Sequence, residues 1–298
     1  MPRPRPERAE RPGTNSPSTG PPRHVTATGP ARTDLLIQPP LLDHRDHDQP
    51  SVFTAAGLLR EARRQKHLPD EPVPTVCLLD PDGDIADHLI ATGQADWSTS
   101  WACYHSRMLL TTIAGHRVGV VPRVVGGPYA VLVAEQLAAS GCRLMLSVTS
   151  AGQLAPVATP PYFVLITDAI RDEGTSYHYL PPGDQARLDA DLAQALTDLD
   201  PPGVRIRPGA SWTTDAPFRE TQHAIDRHTR DGLAAVEMEA ASLYAFATAT
   251  GNKVVCFAHV TNQMASIDHD FEKGAHNGAA EALTLITATL DLLDPRHR

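Results

Sequence analysis

Val236-Glu237-Met238-Glu239-Ala240-Ala241 sets two carboxylates on either side of a methionine and opens a run of small and apolar residues that continues to about Ala249. Leu233, Val236, Ala240, Leu243 and Ala247 recur at three- and four-residue steps, a spacing that predicts a helix with one buried face. On such a helix Glu237 and Glu239, two residues apart, point in different directions. One is then available to a ligand at the helix start while the other is tied into the scaffold. An amphipathic helix carrying two ordinary surface glutamates accounts for the same six residues, and the rest of the chain must decide between these readings.

The 298-residue chain is long enough to bury a large core, as one α/β domain or two smaller ones. Its formal net charge of -9 argues against a nucleic-acid binder and leaves room for a local basic pocket. Cys77, Cys103, Cys142 and Cys256 lie far apart without metal-ligand spacing. No metal site is expected, and a reducing, cytoplasmic setting follows. No uninterrupted apolar span and no apolar core behind the amino-terminal arginines supports a membrane helix or a signal peptide. Residues 1–30, rich in Pro, Arg, Ser, Thr and Gly, offer too little apolar surface to offset backbone ordering, so a disordered tail is expected ahead of a domain at 31–298.

Along that domain, helical and strand-like stretches alternate. Phe53 to Lys66 reads as a helix and Val73 to Leu79 as a strand entering the turn Asp80-Pro81-Asp82-Gly83-Asp84, where α/β proteins place ligand loops. Two strands joined by Ala114-Gly115 lead through Arg123-Val124-Val125-Gly126-Gly127-Pro128 into a helix, and paired glycines there permit close approach of an anion or sugar. The strand Leu144 to Val148 ends in Thr149-Ser150-Ala151-Gly152. Another, Tyr162 to Ile170, ends in Arg171-Asp172-Glu173-Gly174-Thr175-Ser176-Tyr177-His178-Tyr179. Asp184 to Leu199 reads as a helix, and Lys253 to Val260 as a strand leading to Thr261-Asn262-Gln263-Met264.

Taken in order from Val73 to Leu293, these segments resemble the nucleoside phosphorylase and nucleosidase superfamily, in the branch of uridine phosphorylase, hexameric purine nucleoside phosphorylase and the adenosylhomocysteine nucleosidases. The resemblance implies a phosphorylase/hydrolase-like α/β fold, a single catalytic domain with a central mixed sheet flanked by helices. It implies no cofactor, a small-molecule nucleoside or nucleotide as substrate, and assembly as a homodimer or homohexamer. Glu239 matches the glutamate that binds the ribose hydroxyls, Met238 the methionine that packs on the ribose, and Ser150 the residue that contacts nucleophile or sugar. Glu237 matches the first glutamate of the signature, and Gly127 belongs to the glycine pair beside the substrate.

At the base end, Asn262 stands where purine-cleaving relatives carry a protonating aspartate. An amide donates and accepts hydrogen bonds but is no general acid, which leaves room for a 6-oxopurine, a pyrimidine or a modified base. The glutamine and arginine pair of uridine-specific relatives is absent. Trp212 or Phe218 is available to stack on a base and Arg219 to donate to a pyrimidine carbonyl.

The acceptor end departs further. Leu79 and Gly83 stand where phosphorylases have a glycine and a phosphate-binding arginine, and Ser147 replaces a second arginine. Hydrolytic relatives use a glutamate of the first loop to activate water; here Asp82 and Asp84 are nearby, and Asp84 is the expected base. Arg107 resembles the arginine contributed across the dimer, and Arg123 precedes the glycine pair; together they offer a phosphate or 5′-phosphate site. Hydrolysis to base and ribose is favoured. Phosphorolysis, with inorganic phosphate as co-substrate, and a non-catalytic nucleoside sensor are the alternatives.

Overall fold

The computed structural model describes residues 39–43, 46–264 and 272–294. The expected tail, residues 1–30, lies outside them.

Ten strands form one mixed sheet. They are β1 (Val76–Asp80), β2 (Asp96–Trp97), β3 (Leu109–Ile113), β4 (His116–Pro122), β5 (Leu144–Gln153), β6 (Tyr162–Asp172), β7 (Gln185–Arg187), β8 (Ile206–Thr214), β9 (Ala235–Glu237) and β10 (Lys253–Gln263). Among the described residues, seven α-helices accompany them: α1 (Ala55–Lys66), α2 (Asp84–Ala91), α3 (Gly127–Ala139), α4 (Ala190–Ala195), α5 (Gln222–Arg230), α6 (Ala240–Thr250) and α7 (Ala279–Leu293). The strand order is β10-β6-β8-β9-β5-β1-β4-β3-β2, with β7 on β6. β10 also pairs with β5, so five of the strands close on themselves. β1 runs parallel to β4 and β5, and β5 parallel to β10, while β9 meets β5 antiparallel.

Every residue of β1 is buried, as a strand covered on both faces requires. The helices pack in two groups, α1 with α3 and α6, and α2 with α7. The α/β architecture with a central mixed sheet flanked by helices is therefore as the sequence led us to expect.

Two segments differ from their sequence reading. The helix predicted from Leu233 is a strand, β9, followed by α6, because Ala235 and Val236 are held in register by β5 on one side and β8 on the other. Four successive buried residues, Leu233 to Val236, satisfy a helical period and a doubly covered strand alike. The predicted helix from Asp184 to Leu199 divides into β7 and the short α4. Asp189 accepts the Leu192 N–H at 3.1 Å and so starts the helix only at Ala190.

Candidate active site

Glu237 and Glu239 lie where β9 gives way to α6, and both are buried. Glu237 Oε1 accepts from Ser211 Oγ at 2.9 Å and from Thr213 Oγ1, and its Oε2 accepts the N–H groups of Glu239 and Ala240, both at 2.7 Å. Two of these donors are the orphan amides of the α6 amino terminus, which favour a negative charge. Burial pushes the Glu237 carboxyl up, against all four donors.

Glu239 is poorer in partners. Its Oε1 accepts the Gly126 N–H at 2.7 Å, and its Oε2 is buried with no partner. Burial first, then the neighbouring Glu237 charge, pushes this carboxyl up to about 8, against the bonds from Gly126 and Thr149. With four donors on its two oxygens, Glu237 is the better equipped of the two to hold a negative charge. The unpartnered Oε2 is the kind of buried polar atom that a ligand hydroxyl satisfies.

The glycine pair divides its work. Gly126, at φ 86 and ψ 145, adopts a backbone that side chains disfavour and turns its N–H onto Glu239. Gly127 was expected at the substrate. It is instead the first residue of α3, where a Cβ would fall 2.1 Å from Ser242 Oγ of α6, so its bareness lets the two helices meet. Ser242 in turn donates to Glu173, which also accepts the Ser176 N–H at 2.9 Å and so ties the Arg171–Tyr179 loop to α6. Met238, between the two glutamates, is half-buried, the one member of the trio with appreciable exposure.

At the end of β1, Asp80 accepts the N–H groups of Gly83 and Ala86, at 3.1 and 2.9 Å, and caps α2. Burial pushes its carboxyl up to about 7. Asp82 reaches across to β5, where its Oδ2 accepts the Ser150 N–H at 2.7 Å and its Oδ1 accepts Ser150 Oγ at 2.9 Å. Lys273 Nζ is 3.5 Å from Asp82 Oδ1 and 2.6 Å from Asp84 Oδ2. Asp84 Oδ1 accepts Asn277 Nδ2 at 2.9 Å. Asp84, the expected water-activating residue, thus has both oxygens engaged as an anchor for the chain after β10. His259 lines the same crevice, stacked on Phe163 with ring centroids 4.5 Å apart. Burial, then Lys273, lowers its pKa to about 4, so the imidazole is neutral.

Other expected residues stand elsewhere. Trp212 is 3% exposed in a satellite core with Leu154, Ile225, Leu233 and Val236. Its indole N–H donates to Asp172 at 2.9 Å, and its ring lies against His228. It packs, and no face is open to a base. Phe218 is 99% exposed, and Arg219 beside it is also exposed. Arg123 is exposed and pairs with Asp87 at 2.8 Å, and Arg107 lies over the Trp97 ring at 3.7 Å. Asn262 sits near the end of β10, where the register against Gly152 shifts, with only a 3.3 Å contact from Thr261 Oγ1 and a 3.8 Å contact to Met264 Sδ. Its amide is thus loosely held and half-buried.

Sequence reasoning missed Gly126 as the Glu239 partner, gave Thr149 and Glu173 no role of their own within the segments that contain them, and singled out neither His259 nor Lys273. Lys273 lies 189 residues from Asp84, and no local pattern announces such a contact. Among the described residues, no group of three His, Cys, Asp or Glu is placed to hold a metal ion, and no helix is long and apolar enough to cross a membrane.

Residues 76–291 match the family model described as the phosphorylase superfamily, and the chain belongs to that superfamily. It is 28% identical over 234 residues to a uridine phosphorylase of Thermococcus kodakarensis, an alignment that covers 68% of this chain and 83% of that one. A guanosine phosphorylase of Halorubrum lacusprofundi is 30% identical over 131 residues, 43% of this chain and 53% of the relative. The crystal structure of purine nucleoside phosphorylase from Toxoplasma gondii in complex with immucillin-H superposes with a TM-score of 0.65 at 17% identity, covering 78% of this chain and 95% of that one. At that identity the likeness is one of fold.

Proposed function

We propose that this protein cleaves the N-glycosidic bond of a nucleoside, with water as the acceptor. The observation that carries the reading is Glu239: a buried carboxyl held by the Gly126 amide, with one oxygen unsatisfied, beside the half-buried Met238. Breaking the bond from sugar to base develops positive charge on the sugar and negative charge on the base. The Glu237 and Glu239 pair supplies one net negative charge on the sugar side and a partner for a ribose hydroxyl. Met238 supplies an apolar platform.

Asn262 supplies an amide donor at the base end. A donor that cannot protonate suits a base that leaves as a delocalised anion, with charge on a carbonyl oxygen. Uridine and guanosine, which give the two curated relatives their names, both carry such bases. We infer an oxo-base nucleoside for this chain.

Water is favoured as acceptor by charge. Asp82 and Asp84 surround the single ammonium of Lys273, so the cluster is net negative. At about 4 Å each unit of like charge costs a phosphate on the order of 4 kcal/mol at the effective dielectric of a protein surface. The relatives' names favour a second reading, phosphorolysis with inorganic phosphate. A chromatographic screen of nucleosides with and without phosphate separates the two. Free base and free ribose in both samples is the expected result; base and sugar 1-phosphate only with phosphate present would overturn it. The same preparation tests the proposed dimer or hexamer by solution mass.

A further inference from the structure

We propose that the cavity lined by the start of α1, the second half of α3 and the end of α6 is a second small-molecule site. Its ligand is an organic cation, a guanidinium or primary ammonium carried on a short apolar body. The site is independent of the reaction proposed above.

The cavity encloses about 590 Å³, an ordinary size for a ligand pocket. Part of its lining is the chain from His47 into the first turn of α1, including Phe53 and Leu58. That part precedes residues 76–291, so it is an addition to the segment that matches the superfamily. His47 Nε2 meets the Tyr177 carbonyl at 3.1 Å and fixes the addition to the loop that carries Tyr179. The rest of the lining includes Leu132, Glu135 and Gln136 of α3 and the last two residues of α6. Both helices open beside Glu239, α3 just after Gly126 and α6 at Ala240. At a rise of about 1.5 Å per residue, Gln136 and Thr250 stand about 13 and 15 Å along them. The cavity is therefore not the place where the paired glutamates act.

Gln136 is 2% exposed, and its side chain is half satisfied. Its Nε2 donates to the Leu132 carbonyl at 3.0 Å, while its Oε1 has no partner. A buried acceptor of this kind calls for a donor. Donors of the lining are already committed to the protein. The Tyr179 hydroxyl donates to Glu135 Oε1 at 3.0 Å, the Ser51 hydroxyl to the Phe53 carbonyl at 2.7 Å, and the Thr250 hydroxyl to the Phe246 carbonyl at 2.7 Å. Gln136 Oε1 and the second oxygen of Glu135 are left to accept from a ligand.

Charge selects the sign of that ligand. Glu135 is a carboxylate, and the carboxyl end of α6, reached at Ala249 and Thr250, adds the partial negative charge of a helix terminus. Among the described residues, no lysine or arginine lines the cavity. An ammonium or guanidinium, which brings donors and no acceptors, matches both the charge and the orphan oxygen. Leu58 and Leu132 supply apolar contact for its body, and Phe53, 75% exposed, offers a ring face to the cation.

The test titrates the full chain by calorimetry with n-butylguanidinium and n-butylammonium, and with tetramethylammonium and butyrate as comparisons. Tetramethylammonium keeps the charge without N–H groups, and butyrate keeps a short chain with the charge reversed. Both N–H cations should bind at least about 10-fold more tightly than either comparison and raise the melting temperature. E135Q and Q136L should each weaken that binding about 10-fold, the worth of one hydrogen bond to a charged group. E239Q should leave it unchanged, which separates this site from the glutamate pair whatever the reaction proves to be. F53A, at an exposed position, should weaken binding about 3-fold and carries the comparison if a Glu135 or Gln136 variant does not fold. A wild type that binds neither N–H cation at millimolar concentration would overturn the proposal, whether a second copy of the chain or nothing at all fills the cavity. Equal binding of tetramethylammonium would overturn it too, as would undiminished binding in the folded variants of the lining.

Discussion

At the proposed sugar end, donors from β8 and the amino terminus of α6 converge on one carboxylate, Glu237, and leave its neighbour Glu239 half satisfied. At the acceptor end, Asp82, Ser150 and Lys273 arrive from the loop after β1, the end of β5 and the chain after β10, and complete one another. The sugar end is thus a by-product of the core: the strands that place Ser211 and Thr213 are buried, and the charge they hold caps a buried helix. The proposed acceptor end joins the loop after β1 and the chain after β10 to the end of a central strand, β5. Such an arrangement can change its chemistry without disturbing the sheet.

The difference is sharpest in Glu239. E239Q keeps the shape and removes the acid, so kcat/KM should fall about 1000-fold, near 4 kcal/mol of transition-state stabilisation. Turnover within a few-fold of wild type would end the sugar-end assignment. The same variant has a stability signature. Glu239 sits at about 8 in the folded chain, against an ordinary 4.5, so the unfolded chain ionises first as pH rises. Stability associated with this group is complete below about 4.5 and is lost on the way to 8. Asp80, at about 7, adds loss in the same direction. Melting temperature should therefore fall from pH 5 to 8, and fall less steeply in E239Q.

Removing Glu237 should weaken the fold as well as the chemistry. E237A strands four donors in the interior and should cost about 3–5 kcal/mol in denaturant unfolding, comparable to opening a buried charged pair. A smaller test bears on the glycine pair. G127A drives a Cβ into Ser242 Oγ and breaks its bond to Glu173, for an expected loss of about 1–3 kcal/mol. Smallest is W212F, which removes the indole bond to Asp172 and should cost about 1 kcal/mol with turnover unchanged. A large rise in KM for W212F would instead return Trp212 to the base site.

The fold was legible because its strands are long apolar runs and its turns carry glycine and proline at the strand ends. Glu237, Met238 and Glu239 were legible because they are contiguous. The strand at Ala235 was not, since short buried runs satisfy both periods. Trp212 is a related case: an aromatic residue near a ligand loop looks the same in sequence whether it stacks on a base or, as here, packs in a tilted contact against His228. The acceptor end was half legible. Asp82 and Asp84 were visible as neighbours, but which faces Ser150 and which anchors Lys273 depends on contacts 68 and 189 residues apart in the chain.

Residues Ala240 to Ala247 of α6 are all buried. Most helices of a globular protein keep one face to water along their length, but these first two turns have no such face, and only Thr248 to Thr250 are exposed. In hydrogen-exchange experiments, the amides of Glu239, Ala240 and Ala241, bonded to Glu237 and Thr213, should exchange only when the whole molecule opens. The amides of residues 272–278, in a segment that includes His276 and Asn277 at positive φ, should exchange through local excursions at far lower free energy. Glu237 and Glu239 are then fixed as durably as the native state itself, while the chain around Lys273 opens on its own far more often.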